Sequence, residues 1–193
     1  MKKIELVYRE ILYNAMEKKN RRLTQLYLSN ALKISLSTVN LALKPLDRMN
    51  AIKIKRMCFD ITDIKKILYY WASIRNIERD ILYRTRVEMP VREIERLMPN
   101  DVIFTGYSAY KLKFDDVPAD YSEVYIYGSE DIQKRFEKND KNPNLFVLKR
   151  NDADKYGKIV TLGNMFVDLW NLKEWYAKDF LKALEAKIDR LLE

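Results

Sequence analysis

No histidine occurs in the 193 residues, and cysteine occurs once, as Cys58. Without histidine there is no imidazole to act as a general base or to activate a serine or cysteine nucleophile. With one thiol, none of the usual Cys/His zinc sets can be assembled. A lone cysteine also makes no internal disulfide, which fits a reducing compartment, and a cytoplasmic location is expected. Four glycines and five prolines disfavour an all-β sandwich and leave no Gly-rich phosphate loop. No apolar run reaches about 18 residues, so no membrane span is expected. The opening MKKIELVYRE has no uninterrupted apolar core, so a secretory signal is not expected either.

What the chain does have is charge, unevenly placed. Residues 1–60 hold 13 of the 36 lysines and arginines but 5 of the 28 acidic residues, so the whole net charge of +8 sits there. The rest of the chain balances. A basic head beside a neutral body suggests a polyanion-binding module joined to a module with another task.

Apolar spacing organises the head. Ile4, Tyr8, Ile11, Leu12 and Ala15 predict an amphipathic helix over about 3–18. After the polar break Asn20-Arg21-Arg22, Thr24 is placed to cap a second helix, with Leu26 or Leu28, Ala31 and Leu32 on its apolar side. Ser35 caps a third, whose core side is Val39, Ala42, Leu43 and Leu46. Ala51–Ile54 alternates as a strand, with Cys58–Ile61 as its returning partner. Helix, helix, tight turn, helix and hairpin make a winged helix-turn-helix. Thr62 or Asp63 then caps a connecting helix carrying Ile64, Ile67, Leu68, Trp71, Ile74 and Ile81.

Beyond Thr85 short strands and helices alternate. Helices are expected from Pro90 to Met98, over Tyr107–Phe114, over 130–138 and from about Leu172. Strands are expected at Val124–Tyr127 and Leu145–Leu148. The expected fold class is α+β: a winged-helix domain (1–61), a connecting helix (62–84) and a small α/β domain (85–193).

The third helix carries the informative chemistry. A recognition helix needs an apolar side as anchor and small polar or basic residues that fit the major groove. Ser35, Ser37 and Thr38 stand at its start, where helix N-termini approach phosphates and bases. Asn40 suits adenine, and Lys44 suits guanine or a phosphate. Leu41, on the same surface, reads no hydrogen bond but fits a thymine methyl. Lys53, Lys55 and Arg56 fall in the wing, and Arg21, Arg22 and Lys33 flank it as expected phosphate contacts. Pro45 removes a helical N–H at a cost of roughly 3 kcal/mol inside an ideal helix, so a bend or an end is expected there.

The string ISLSTVNLALKPLDRMNAI (34–52), followed by FDITD, resembles the heads of MarR-like and related archaeal and bacterial regulators. Over most of its length the chain resembles the AbiEi-like antitoxins of type IV toxin–antitoxin systems and their archaeal relatives. The resemblance rests on FTGYSAYKLKF (104–114), SEVYIYGS (122–129), LFVLKRND (145–152) and GNMFVDLWNLKEWYAKDFLKALE (163–185). It implies an autoregulating repressor whose residues 85–193 oppose a nucleotidyltransferase-like toxin. Pro45 and the absence of a wing glycine depart from that family's usual head.

The expected function is therefore sequence-specific binding of double-stranded DNA as a homodimer, with no cofactor and no catalysis. Residues 85–193 would bind a toxin or other protein partner, or sense a ligand. The connecting helix is either the dimer seam or packing for the body. Two alternatives come from other classes. Gly128-Ser129 after a strand, with Asp168 as a metal ligand, invites a nucleotidyltransferase, and Asp152-Ala153-Asp154 has the letters of a carboxylate pair. A protein- or RNA-binding module would use the aromatics Tyr107, Tyr110, Tyr121, Tyr125, Tyr127, Trp170, Trp175 and Tyr176. Of these, Trp170 and Tyr176 are expected in the core, and one side of the Val124–Tyr127 strand is expected to face solvent.

Overall fold

A computed structural model describes residues 1–151 and 153–193. Among them the chain is an α+β protein with eight α-helices and two small sheets. None of the described helices is long and apolar enough to cross a membrane. The residues group into two compact units: 1–75 with 161–163 and 188–193, and 76–160 with 164–187.

The first unit is built around helix α1 (Lys3–Met16). Glu5 starts it by accepting a hydrogen bond from the Lys2 backbone N–H at 2.9 Å. Val7, Ile11 and Leu12 are fully buried, and the polar residues Glu5, Arg9, Glu10 and Asn14 are buried as well. Glu5 Oε2 accepts from the Trp71 indole at 3.1 Å and lies 3.6 Å from Arg75. Glu10 accepts from the Tyr27 hydroxyl at 2.8 Å and from the Asn14 amide at 3.0 Å. These bonds supply Glu5, Glu10 and Asn14 with the partners that burial demands.

Helices α2 (Gln25–Leu32) and α3 (Leu36–Arg48) begin at the expected caps: Thr24 accepts from Tyr27 N and Ser35 from Thr38 N. Of the two leucines open for α2, Leu28 is buried and Leu26 is exposed. The turn between the helices depends on Lys33, held in the left-handed region at φ 51°, which lets Ile34 N donate back to Ser29 O at 3.1 Å. Val39, Ala42, Leu43 and Leu46 are the buried side of α3. The helix runs through Pro45 and neither ends nor is cut short there. Leu46 anchors the final turn in the core, and Met49 N donates to Pro45 O at 3.2 Å.

Strands β2 (Ile52–Ile54) and β3 (Phe59–Ile61) form the expected hairpin, closed by Lys55 N donating to Cys58 O at 2.8 Å. Neither tip residue, Arg56 or Met57, has positive φ, so the turn has no need of a glycine. A two-residue strand β1 (Arg22–Leu23), read as a plain polar break from the sequence, adds to the hairpin in the order β1-β3-β2, all antiparallel. Helix α4 (Ile64–Ile74) is capped by Asp63. It stops well before Ile81, because Arg75 and Asn76 turn extended and Asn76 caps a short 3₁₀ turn. Its apolar side, with Trp71 fully buried, packs on α1. At the start of a later helix, α7 (Leu162–Trp170), Gly163 lies against Leu12. A Cβ there would fall 3.0 Å from two of its carbons, so only glycine fits without a shift.

The second unit holds a four-stranded sheet in the order β4-β7-β6-β5. The strands are β4 (Ile81–Thr85), β5 (Ile103–Thr105), β6 (Val124–Gly128) and β7 (Leu145–Lys149). The central pair β6/β7 is parallel and both outer pairs are antiparallel. Tyr83, Ile94, Val102, Val124, Ile126, Leu145 and Val147 share one core. Tyr125 and Tyr127 on the other face of β6 are buried too, so neither side of that strand faces solvent. Helices α5 (Val91–Arg96), α6 (Gly106–Phe114) and α8 (Ala177–Leu192) complete the described elements, with α7. Residues 130–134 form a 3₁₀ turn instead of a longer helix. Tyr176 is core as expected, whereas Trp170 is exposed.

Candidate nucleic-acid interface

The candidate surface begins with the outward side of α3. Ser37, Leu41, Lys44 and Arg48 recur at steps of four, three and four, and all are exposed, as is Asn40 beside them. Leu41 therefore stands at the middle of the outward face. It is 60% exposed, and Leu36 at the flank is 49% exposed. Ser35 Oγ lies 2.9 Å from both Ser37 Oγ and Thr38 Oγ1, so the three hydroxyls form one local cluster around the helix cap.

Two depressions run across this surface. One of about 600 Å³ is lined by Gln25, Leu36, Ser37, Thr38, Asn40, Leu41 and Lys44. Another of about 280 Å³ is lined by Thr24, Gln25, Leu26, Leu36, Lys55, Arg56, Met57 and Cys58. Gln25 and Leu36 line both, so the depression on the face of α3 adjoins the one at the hairpin tip. Of the residues singled out from sequence, Ser37, Thr38, Asn40, Leu41 and Lys44 line the depression on α3, and Lys55 and Arg56 line the adjoining one. Ser35 caps α3 behind them. Arg21, Arg22, Lys33 and Lys53 lie outside both linings, though all four are exposed.

Gln25, Leu36, Met57 and Arg48 were not singled out from the sequence. Arg48 was findable, since it continues the Ser37–Leu41–Lys44 stripe by one turn. Gln25 and Met57 carry no local signal, because their place depends on how α2 and the hairpin meet α3.

The sheet beside α3 binds its own cations. Asp60 on β3 accepts from Arg22 Nε at 2.7 Å and pairs with Lys55. Hydrogen bonds from Arg22 and then Lys55 hold the Asp60 carboxyl down at about 2, and the same contact raises Arg22. Two of the proposed phosphate contacts are thus held by an internal anion.

The residues of the enzyme alternative sit elsewhere, in the second unit. Asp168 is fully buried and accepts from the hydroxyls of Thr105 and Tyr127, each at 2.7 Å, and from the Asn164 amide at 2.8 Å. Ser129 caps the 3₁₀ turn after β6, and Asp154 pairs with Arg150 at 2.7 Å. Asp152 lies outside the described residues. Among the described residues no three carboxylate or thiol groups converge as a metal site. The tyrosines singled out for a binding surface bond to carboxylates: Tyr107 and Tyr125 to Glu174, Tyr121 to Glu95, Tyr110 to Asp116. Burial first, and then Glu174, pushes the Tyr107 and Tyr125 hydroxyls well above the usual phenol range.

No protein-family description, curated protein or solved structure matches this chain.

Proposed function

We propose that the protein is a site-specific double-stranded DNA-binding regulator, with residues 1–61 acting as a winged helix-turn-helix. The observation that carries this reading is the adjacency of two depressions, one on the outward face of α3 beside Lys44 and one at the β2–β3 tip beside Lys55 and Arg56, which share Gln25 and Leu36. A helix presenting small polar residues, with a basic hairpin beside it, suits entry of the helix into the major groove while the hairpin meets the backbone. The whole net charge of the chain lies in the same segment, which favours a polyanion. Asn40 and Lys44 are assigned base contacts. Ser37 and Thr38 lie at the helix start, and Arg21, Arg22, Lys33, Lys53, Lys55 and Arg56 are assigned phosphates.

In the same proposal the protein binds as a homodimer on an inverted repeat and represses its own gene, while residues 85–193 engage a protein partner, an antitoxin role being the one the sequence resemblance suggests. DNase footprinting of the full chain on the DNA upstream of its own gene tests the regulatory claim. A discrete protected segment with two-fold related halves is expected. Uniform coating of the fragment at all concentrations would refute it.

A further inference from the structure

The chemistry of the two depressions is more apolar than phosphate binding requires. Leu26, Leu36, Leu41 and Met57 are 60%, 49%, 60% and 80% exposed, and each lines at least one of the two depressions. Single exposed leucines are ordinary on protein surfaces. Here four large apolar side chains line two adjoining depressions, Leu36 and Leu41 the one on α3 and Leu26, Leu36 and Met57 the one at the hairpin tip, within the segment that carries the net positive charge. Buried positions elsewhere in the unit are already filled by Leu28, Val39, Leu43 and Leu46, so the exposed set is not displaced core.

The polar groups in the depression on α3 divide into two kinds. The hydroxyls of Ser37 and Thr38 are each linked to Ser35 Oγ, which lies outside the lining. The side-chain amides of Gln25 and Asn40 make no hydrogen bond among the described residues. An amide beside an outward leucine matches one partner well. In the major groove, adenine offers N7 and N6–H₂ to a bidentate amide, and its thymine offers the only methyl group of the four unmodified bases.

Resting on the DNA-binding reading above, we infer that Leu41, flanked by Leu36, reads thymine methyl groups beside an adenine bound by Asn40, so that the half-site contains A·T pairs. Lys44 and the basic hairpin supply the charge complementarity that brings the duplex to this face. Leu41 and Asn40 are specificity residues in this scheme, and Lys44 adds affinity.

The test uses the full chain and a duplex selected by it from a random pool. Each thymine of that duplex is replaced in turn by deoxyuridine, which removes only the methyl group. Wild-type protein should lose about 4-fold in affinity per contacted methyl at one or two positions. Leu41→Ala should bind the parent duplex more weakly and be indifferent to deoxyuridine at its own position, and Leu36→Ala serves as a second variant. Both leucines are exposed, and unchanged circular dichroism should attest the fold. Deoxyuridine without effect at every position, while Asn40→Ala still abolishes discrimination, would overturn the methyl reading and leave the DNA-binding reading intact. Selection of no preferred sequence would overturn both.

Discussion

Asp60 accepts a hydrogen bond from Arg22 Nε at 2.7 Å across the β1–β3 ladder, and Lys55 pairs with the same carboxylate from the hairpin. An acid in the middle of a basic sheet sets the resting charge of the proposed phosphate-binding surface. Neutralising it as Asp60→Asn releases two cations and removes one repulsion. Affinity for duplexes of any sequence should rise about 5-fold at low salt. The dependence of log affinity on log salt should steepen by about one unit, while discrimination between sequences stays the same. Anisotropy titrations over a salt series measure both.

The same carboxylate links stability to acid. The hydrogen bonds from Arg22 and Lys55 lower its pKa in the folded chain to about 2, below the ordinary carboxylate value. Its contribution is therefore complete above roughly pH 4 and is lost as pH falls towards 2. Melting temperatures of wild type and Asp60→Asn should differ most above that window and converge below it. A constant gap from pH 6 to pH 2 would contradict the assignment.

Glu5 is the hub between α1 and α4, bound to the Trp71 indole and facing Arg75, with both partners buried. Glu5→Ala leaves a buried guanidinium without this carboxylate and should lower unfolding stability by about 3 kcal/mol. Glu5→Gln keeps the acceptor for Trp71 and should lose less. Urea denaturation followed by tryptophan fluorescence measures the difference.

Lys33 separates two demands on one position. Its left-handed backbone, φ 51°, is strained for any residue with a Cβ. Lys33→Gly should stabilise the fold by about 1 kcal/mol while weakening DNA binding through loss of a phosphate contact. A gain in melting temperature with unchanged affinity at low salt would keep the strain argument and remove Lys33 from the interface.

Much of the first unit was legible because its signals are local. Thr24, Ser35 and Asp63 precede apolar periodicity and do cap helices, and Ala51–Ile54 alternates as a strand does. What was not legible depends on distant partners. Strand β1 is two residues long and exists only because β3 pairs with it, so the Arg22–Asp60 bond had no trace in the sequence. Ile81 fits the spacing of α4, yet Asn76 ends the helical run and Ile81 opens a strand paired with Leu148. Helix α7 reads Leu-Gly-Asn-Met-Phe-Val-Asp-Leu-Trp, nearly all buried, and its nine residues are a short window in which to recognise a helical period. For the interface, the outward stripe of α3 followed from its period alone. Gln25 and Met57 joined it only through tertiary placement.

The most direct measurement is anisotropy of the full chain on the duplex upstream of its own gene and on a scrambled duplex, with Asn40→Ala and Lys44→Ala alongside, at several salt concentrations. The account predicts binding to the upstream duplex roughly 10³-fold tighter than to the scrambled one, with Asn40→Ala erasing the difference and Lys44→Ala weakening it. Equal, steeply salt-dependent binding to both duplexes, unaffected by Asn40→Ala, would contradict it and leave only phosphate contacts.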